Sequence, residues 1–354
     1  MGQRWRTTTG LLALVAAMSL AGVACSKDGT AKADAAASTT TTEATTTTTS
    51  TTVPPAPILA PLTGAAGADP ALLSRPALAV KIDNSPPAMP QFGINRTDVT
   101  IEIQVEGISR LMAVFHSQDA ARVGPTRSAR FSDPDLLALF VKPLFGWSGA
   151  NERVTRTVLE TPWVKNVHWN AQPKLYQRTK EKRAPHNLIT STAPLFALAD
   201  PGQAVPTPIF DYLAPGQTNA AAVLMPGFTG SVGTTNSQWV WDPTANRWVR
   251  WQYGKAHSTD DGQAWADNVV VLQTQYTRGP TAVTIGSGQA WVATGGTIVQ
   301  GTWTRADRTL RYTLTDATGQ PMRLAPGRTW VELPEGIPIP MAADTASGLL
   351  AGAR

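Results

Sequence analysis

The chain has 354 residues, with 30 basic and 25 acidic side chains, a formal net charge of +5 and 42% apolar residues. Its one cysteine, Cys25, excludes intramolecular disulfides, a CxxC redox pair and a multi-cysteine zinc cluster. Length and apolar content suit about two folded domains once tails are removed.

Arg4 and Arg6 form a positive n-region, and Leu11 to Leu20 an apolar stretch too short to span a bilayer. Small residues follow up to Cys25, a pattern that resembles a bacterial lipobox, with Gly22 where Leu is usual. On that resemblance residues 1–24 are a signal peptide. Cys25 then carries the lipid, palmitate among its acyl chains, as the mature N-terminus. An ordinary cleaved signal with an incidental cysteine is the alternative. Cleavage removes Arg4 and Arg6 and no acid, which lowers the net charge to +3 and weakens any case for a nucleic-acid partner. Residues 25–74 read as a disordered tether: eleven of the fourteen residues 39–52 are Thr, and Pro54, Pro55, Pro57 and Pro61 follow. Such a segment has too little apolar surface to offset its ordering entropy.

The folded body begins near residue 75. Leu78, Val80 and Ile82 alternate in one strand. Val99, Ile101, Ile103 and Val105 alternate with Thr100, Glu102, Gln104 and Glu106 in a second, which reads as half-buried. Arg110 to Gln118 fits a central strand, and the short connection before it predicts a hairpin. Ser132-Asp133-Pro134 opens one helix, Glu152 to Glu160 forms another, and Thr192 to Ala199 a third. The Pro- and Gly-rich stretch 200–218 separates the halves. Short strand-like runs then recur, and Asp242 to Asn246 supplies turn chemistry for a hairpin. Gly336 to Arg354 reads as a flexible tail.

Several spaced blocks carry a family resemblance. RPALAVKIDN (75–84), the run QFGINRTDVTIEIQVEGISRLMAVF, VGPTRSAR (123–130) and RAPHNL (183–188) resemble the YerB-like family of bacterial lipoproteins. GKAHSTDDGQAWADNVVV (254–271) and the blocks between 301 and 333 resemble that family's C-terminal region. Met89 departs from the pattern, which commonly has a basic residue there. The resemblance implies an α+β fold in two parts: an N-terminal α+β domain at 75–205, with a mixed sheet and helices, and a mostly antiparallel β domain at 206–335. It implies a lipid-anchored protein on the extracytoplasmic face of the cell membrane, and no activity.

Arg127 and Arg130 stand three apart in GPTRSAR. On a helical turn they would be neighbours and, with His186 and Asn187, would line a cleft for a carboxylate or phosphate. The competing reading pairs each arginine with Asp83, Glu102 or Glu106 across the sheet. Glu102, Glu106 or His186 could instead serve a hydrolase or transferase. If Trp241 pairs with Trp248, then Trp239, Trp241, Trp248 and Arg250 share one face, either as core or as a platform for glycans. The four histidines show no metal spacing, and no motif implies a cofactor. The expected role is therefore non-catalytic binding of an anionic wall polymer or an envelope protein. The bilayer would be engaged through Cys25, and an envelope assembly factor is a further alternative.

Overall fold

A computed structural model describes residues 57–352. The signal segment, Cys25 and the tether as far as residue 56 lie outside the described residues, as do 353–354. The expected tether ends well before residue 74. Leu62 is fully buried in the core, and Asp69 caps a single helical turn at Pro70–Leu73. Apolar residues such as Leu62 are enough to pull this stretch onto the body.

In the first half, β1 (Leu78–Asp83) pairs antiparallel with β3 (Ile108–Phe115), which pairs with β2 (Val99–Val105) in the expected hairpin. The turn is Glu106-Gly107, both at positive φ, the backbone that a two-residue link between twisted strands requires. β4 (Leu144–Gly146) and β5 (Lys165–Asn166) continue in parallel on the other side of β1. The helices are α1 (Asp133–Leu137), α2 (Glu152–Leu159) and α3 (Thr192–Phe196). The Asn151 side chain caps α2 at the Val154 N–H, and Val154 and Val158 face the core. Lys81 on β1 meets Asp133 at the start of α1 at 2.6 Å, both fully buried, which pins helix to sheet.

The second half supplies β6 (Gly227–Val232), β7 (Thr235–Asp242), β8 (Arg247–Gln252), β9 (Trp265–Ala266) and β10 (Asn268–Leu272). It continues with β11 (Gly286–Thr294), β12 (Thr297–Arg305), β13 (Thr313–Asp316), β14 (Thr329–Glu332) and β15 (Ile339–Pro340). The two halves meet in one sheet. Its order is β13-β12-β11-β10-β14-β2-β3-β1-β4-β5, with Val223–Leu224 added at β12. The central β14 pairs in parallel with β10 on one side and β2 on the other. A second sheet, ordered β8-β7-β6-β15 with Lys255–Ala256 and β9 both on β8, is antiparallel.

These sheets make a layered α+β body. One face of the large sheet (Val99, Ile101, Met112, Val114) packs beneath α1 and α2. Its other face (Val80, Ile82, Leu111, Ala113) meets α3 and the second sheet's Phe228, Trp239 and Trp248. β2 is thus buried on both faces, not half-buried, because the second sheet covers Thr100 and Glu102. Trp239 and Trp248 are core, not platform, although the Trp241–Trp248 register is the expected one.

The expected C-terminal tail is structured. β15 pairs with β6, and α4 (Ala343–Gly352) closes over Val240, Val249 and Trp251 with Met341 and Ala346. The strand outer face is apolar there, so the helix has a surface to bury. Deleting residues 342–354 uncovers that surface, a loss on the order of 3 kcal/mol. Thermal unfolding should move several degrees lower, and acrylamide should quench tryptophan emission more strongly. An unchanged melting curve contradicts the packing role of α4.

Candidate functional site

The C-terminal end of β1 gathers the polar residues of the first half. Asp83 stands opposite Arg110 in the β1–β3 ladder. Segment 123–130 runs alongside: the Asp83 N–H donates to the Pro125 carbonyl and the Arg127 N–H to the Lys81 carbonyl. This backbone is extended, so Arg127 and Arg130 do not share a helical turn. Residue 126 bridges Ile82 instead, where β4 no longer pairs with β1.

Each arginine has an acid. Arg127 Nε lies 3.3 Å from Asp83 Oδ2, and Arg130 Nη2 donates to Glu106 Oε2 at 2.7 Å. His186 joins Arg127 through the same carboxylate, with Nδ1 2.6 Å from Asp83 Oδ2 and 3.2 Å from Ser85 Oγ. The side chains of Arg127 and His186 are both 22% exposed. Arg130 is paired with Glu106 instead. Asn187 does not join them. Its buried amide takes a hydrogen bond from Arg178 Nη1 at 2.7 Å and donates to the Thr179 carbonyl, which closes the loop that carries His186.

The residue that sequence reading missed is Arg110. It is 5% exposed, with one long hydrogen bond, 3.4 Å, to the Ser128 carbonyl. Among the described residues it makes no ion pair within 4.0 Å. Burial first, then the charges of Arg130 and Arg127, pull its pKa down to about 10, against smaller support from Asp83 and Glu106. Three guanidiniums therefore share two carboxylates, and the buried Nε of each makes no hydrogen bond. The sequence carries no signal for it, because Arg110 meets Asp83 only through the β1–β3 pairing and its register.

Glu102 and Glu106 do not flank one cleft. Glu106 is 65% exposed at the hairpin turn. Glu102 is sealed between the sheets. Arg250 Nη2 donates to both its oxygens at 3.1 and 2.9 Å, Ser109 Oγ donates at 2.6 Å and Trp330 Nε1 at 3.0 Å. His257 accepts from Arg250 at Nδ1 and lies 2.6 Å from Gln91 Oε1 through Nε2, which fits a neutral ring protonated at Nε2. Burial and the Arg250 charge hold its pKa well below the usual imidazole value. Glu332 is the neighbour of Glu102 across the β2–β14 ladder. Its Oε1 accepts from Ser237 Oγ and Trp239 Nε1, both at 2.8 Å, while Oε2 has no partner among the described residues. Burial, then the Glu102 charge, raise its pKa to about 7.

Comparison with known proteins agrees with this architecture. Residues 62–203 match the N-terminal domain, and residues 229–331 the C-terminal domain, of the family described as protein of unknown function DUF3048. Together they cover more than two thirds of the chain. The chain belongs to this family. It is 35% identical over 138 residues to the Bacillus subtilis (strain 168) protein named "Putative lipoprotein YerB". That match spans 37% of this chain and 40% of the relative. The crystal structure of YerB protein from Bacillus subtilis superposes with a TM-score of 0.67 at 22% identity, over 79% of this chain and 97% of that one. At that identity the match shows a shared α+β fold.

Glu332 makes stability depend on pH. The folded protein holds this proton up to about pH 7, whereas an ordinary glutamate releases it near 4.5. Folding therefore takes up a proton, and stability falls as pH rises through that window, by roughly 3 kcal/mol at most. Glu332→Gln should remove this slope and be more stable than wild type at pH 8 by urea denaturation. An unaltered slope shows that Glu332 ionises normally in the folded state.

Proposed function

We propose that the body is a non-catalytic receptor for an anionic group of the cell envelope, held on the extracytoplasmic face of the membrane by lipidated Cys25. The observation that carries the binding reading is the charge imbalance at the end of β1. Arg110 has no carboxylate of its own, and Arg127 shares Asp83 with His186. Planar guanidinium forks suit carboxylate or phosphate oxygens. Lys180 and Arg183, on the loop that carries His186, are exposed and add to the positive field that would draw an anion in. Anchoring is supported by the name of the relative and by the residues around Cys25. Glu102 lies sealed in the core and Glu106 sits apart at a turn, which favours binding over hydrolysis by a carboxylate pair.

One observation favours a protein partner as a second reading. Val223 and Leu224 are exposed beside an apolar cleft of about 510 Å³ floored by Phe228, Trp291 and Ile298. Exposed apolar clusters of this kind mark interaction surfaces.

Inorganic phosphate tests the first reading. At constant ionic strength it should bind and raise the melting temperature. The double variant Arg127→Gln/Arg130→Gln should lose about tenfold or more in affinity, as charge-assisted hydrogen bonds contribute ~1.5–3 kcal/mol each. Equal affinity of variant and wild type by calorimetry would falsify the site. Anchoring has a separate test: Cys25→Ala should release the protein from the membrane fraction and abolish fatty-acid labelling, and retention on the membrane contradicts it.

A further inference from the structure

The outer side of the second sheet is laid out in rows by its register. Val240 lies between Gly227 and Val249, with the Met341 N–H bonded to the Gly227 carbonyl. In the next row Gln238 lies between Thr229 and Trp251, and Ile339 faces Thr229. In the row beyond, Asn236 faces Ser231, and its carbonyl accepts from the Tyr253 N–H. Helix α4 packs on Val240, Val249 and Trp251. The polar part of the face stays open. It forms a cleft of about 440 Å³ bounded by Tyr253 at one side and Ile337 and Ile339 at the other, a size within the range of small-molecule sites.

Two features set this cleft apart from an ordinary solvated strand face. The side chains of Thr229, Ser231, Asn236 and Gln238 make no hydrogen bond to any described residue, and no charged side chain lines the cleft. Four hydroxyl and amide groups are therefore unspent in one small neutral area. The second feature is Tyr253. With Gly254 it forms the turn between β8 and Lys255–Ala256, and it takes φ 51°, a position usually held by Asn, Asp or Gly. A bulky side chain in the left-handed region costs about 1–3 kcal/mol and points to a role beyond the turn. The Tyr253 hydroxyl is fixed 3.0 Å from Thr235 Oγ1, and the residue is 38% exposed.

We propose that this face is a second binding site, independent of the arginine cluster, for a neutral oligosaccharide. Sugar hydroxyls both donate and accept, and so match the paired functions of the amides and hydroxyls. The apolar side of a sugar ring matches the tyrosine ring and the isoleucine rail. A polyanion finds no countercharge here, and an apolar helix laid across the cleft would bury four unpaired polar groups.

The test is saturation-transfer NMR on the full chain in detergent micelles, with tri-N-acetylchitotriose and cellotriose as probes. At least one sugar should receive saturation from the protein. Asn236→Ala/Gln238→Ala should weaken its binding about tenfold, with tryptophan emission unchanged. Tyr253→Ala should weaken it as well, and Arg127→Gln/Arg130→Gln should leave it intact. The double polar variant carries the decision if Tyr253→Ala disturbs the turn. Absence of transfer to both sugars, or equal binding by the double polar variant, overturns the proposal. So does a wild-type dimer in sedimentation that the same double variant dissolves, since the face then belongs to a second copy.

Discussion

The ion pair between Glu102 and Arg250 sits where the two sheets meet, and the rest of the body is organised around it. Both side chains are fully buried, and Arg250 reaches Glu102 across 148 residues of sequence. Removing two charges from water is costly, and the interior tolerates them only when most of their oxygens and N–H groups are engaged; here all but Arg250 Nε are. The neighbours serve that need: Ser109, Asn84 and Trp330 donate to Glu102, while Gln252 and His257 receive Arg250. These partners come from both sequence halves and from both sheets. Breaking one member leaves a charge stranded in a dry interior.

The arginine cluster takes its rigidity from this network. Asn84, which donates to Glu102, directly follows Asp83, the carboxylate that aligns Arg127 and His186. Gln91 reaches the Asp83 carbonyl with its amide nitrogen and His257 with its oxygen. The end of β1 is thus clamped from beneath by groups that belong to the core, while its upper side meets solvent. Sandwiching the large sheet between helices and the second sheet covers much of its two faces, and strand ends and the outer face of the second sheet remain open. Both candidate sites lie on such places.

Much of the local structure was legible in the sequence. Period-two alternation located β2 and its hairpin, the Ser132-Asp133-Pro134 start located α1, and the turn at 242–246 gave the tryptophan register; the Asn151 cap of α2 emerged only with the structure. Asp83 and Glu106 were also legible as acids within reach of Arg127 and Arg130. What stayed hidden is tertiary in origin. Alternation in β2 looks half-buried because a strand does not announce a second layer; only Arg250 makes a buried Glu102 tolerable. The pair Arg127 and Arg130 reads as helical until segment 123–130 finds the free side of β1. Asn187 looks like a site residue because its neighbour His186 is one, yet its amide is consumed by Arg178. The tail and the end of the tether look disordered by composition, and they order because apolar surface elsewhere awaits them.

The position of β14 has a kinetic consequence. This strand lies at the middle of the large sheet, and its partner β2 comes roughly 230 residues earlier. Until residue 332 is available, β2 and β10 each present a raw edge toward an empty central slot, the kind of edge that invites pairing with foreign strands. Closing so long a loop is entropically expensive before any contact repays it. A chain shortened from the C-terminus past β14 would therefore leave β2 and β10 without the neighbour they share.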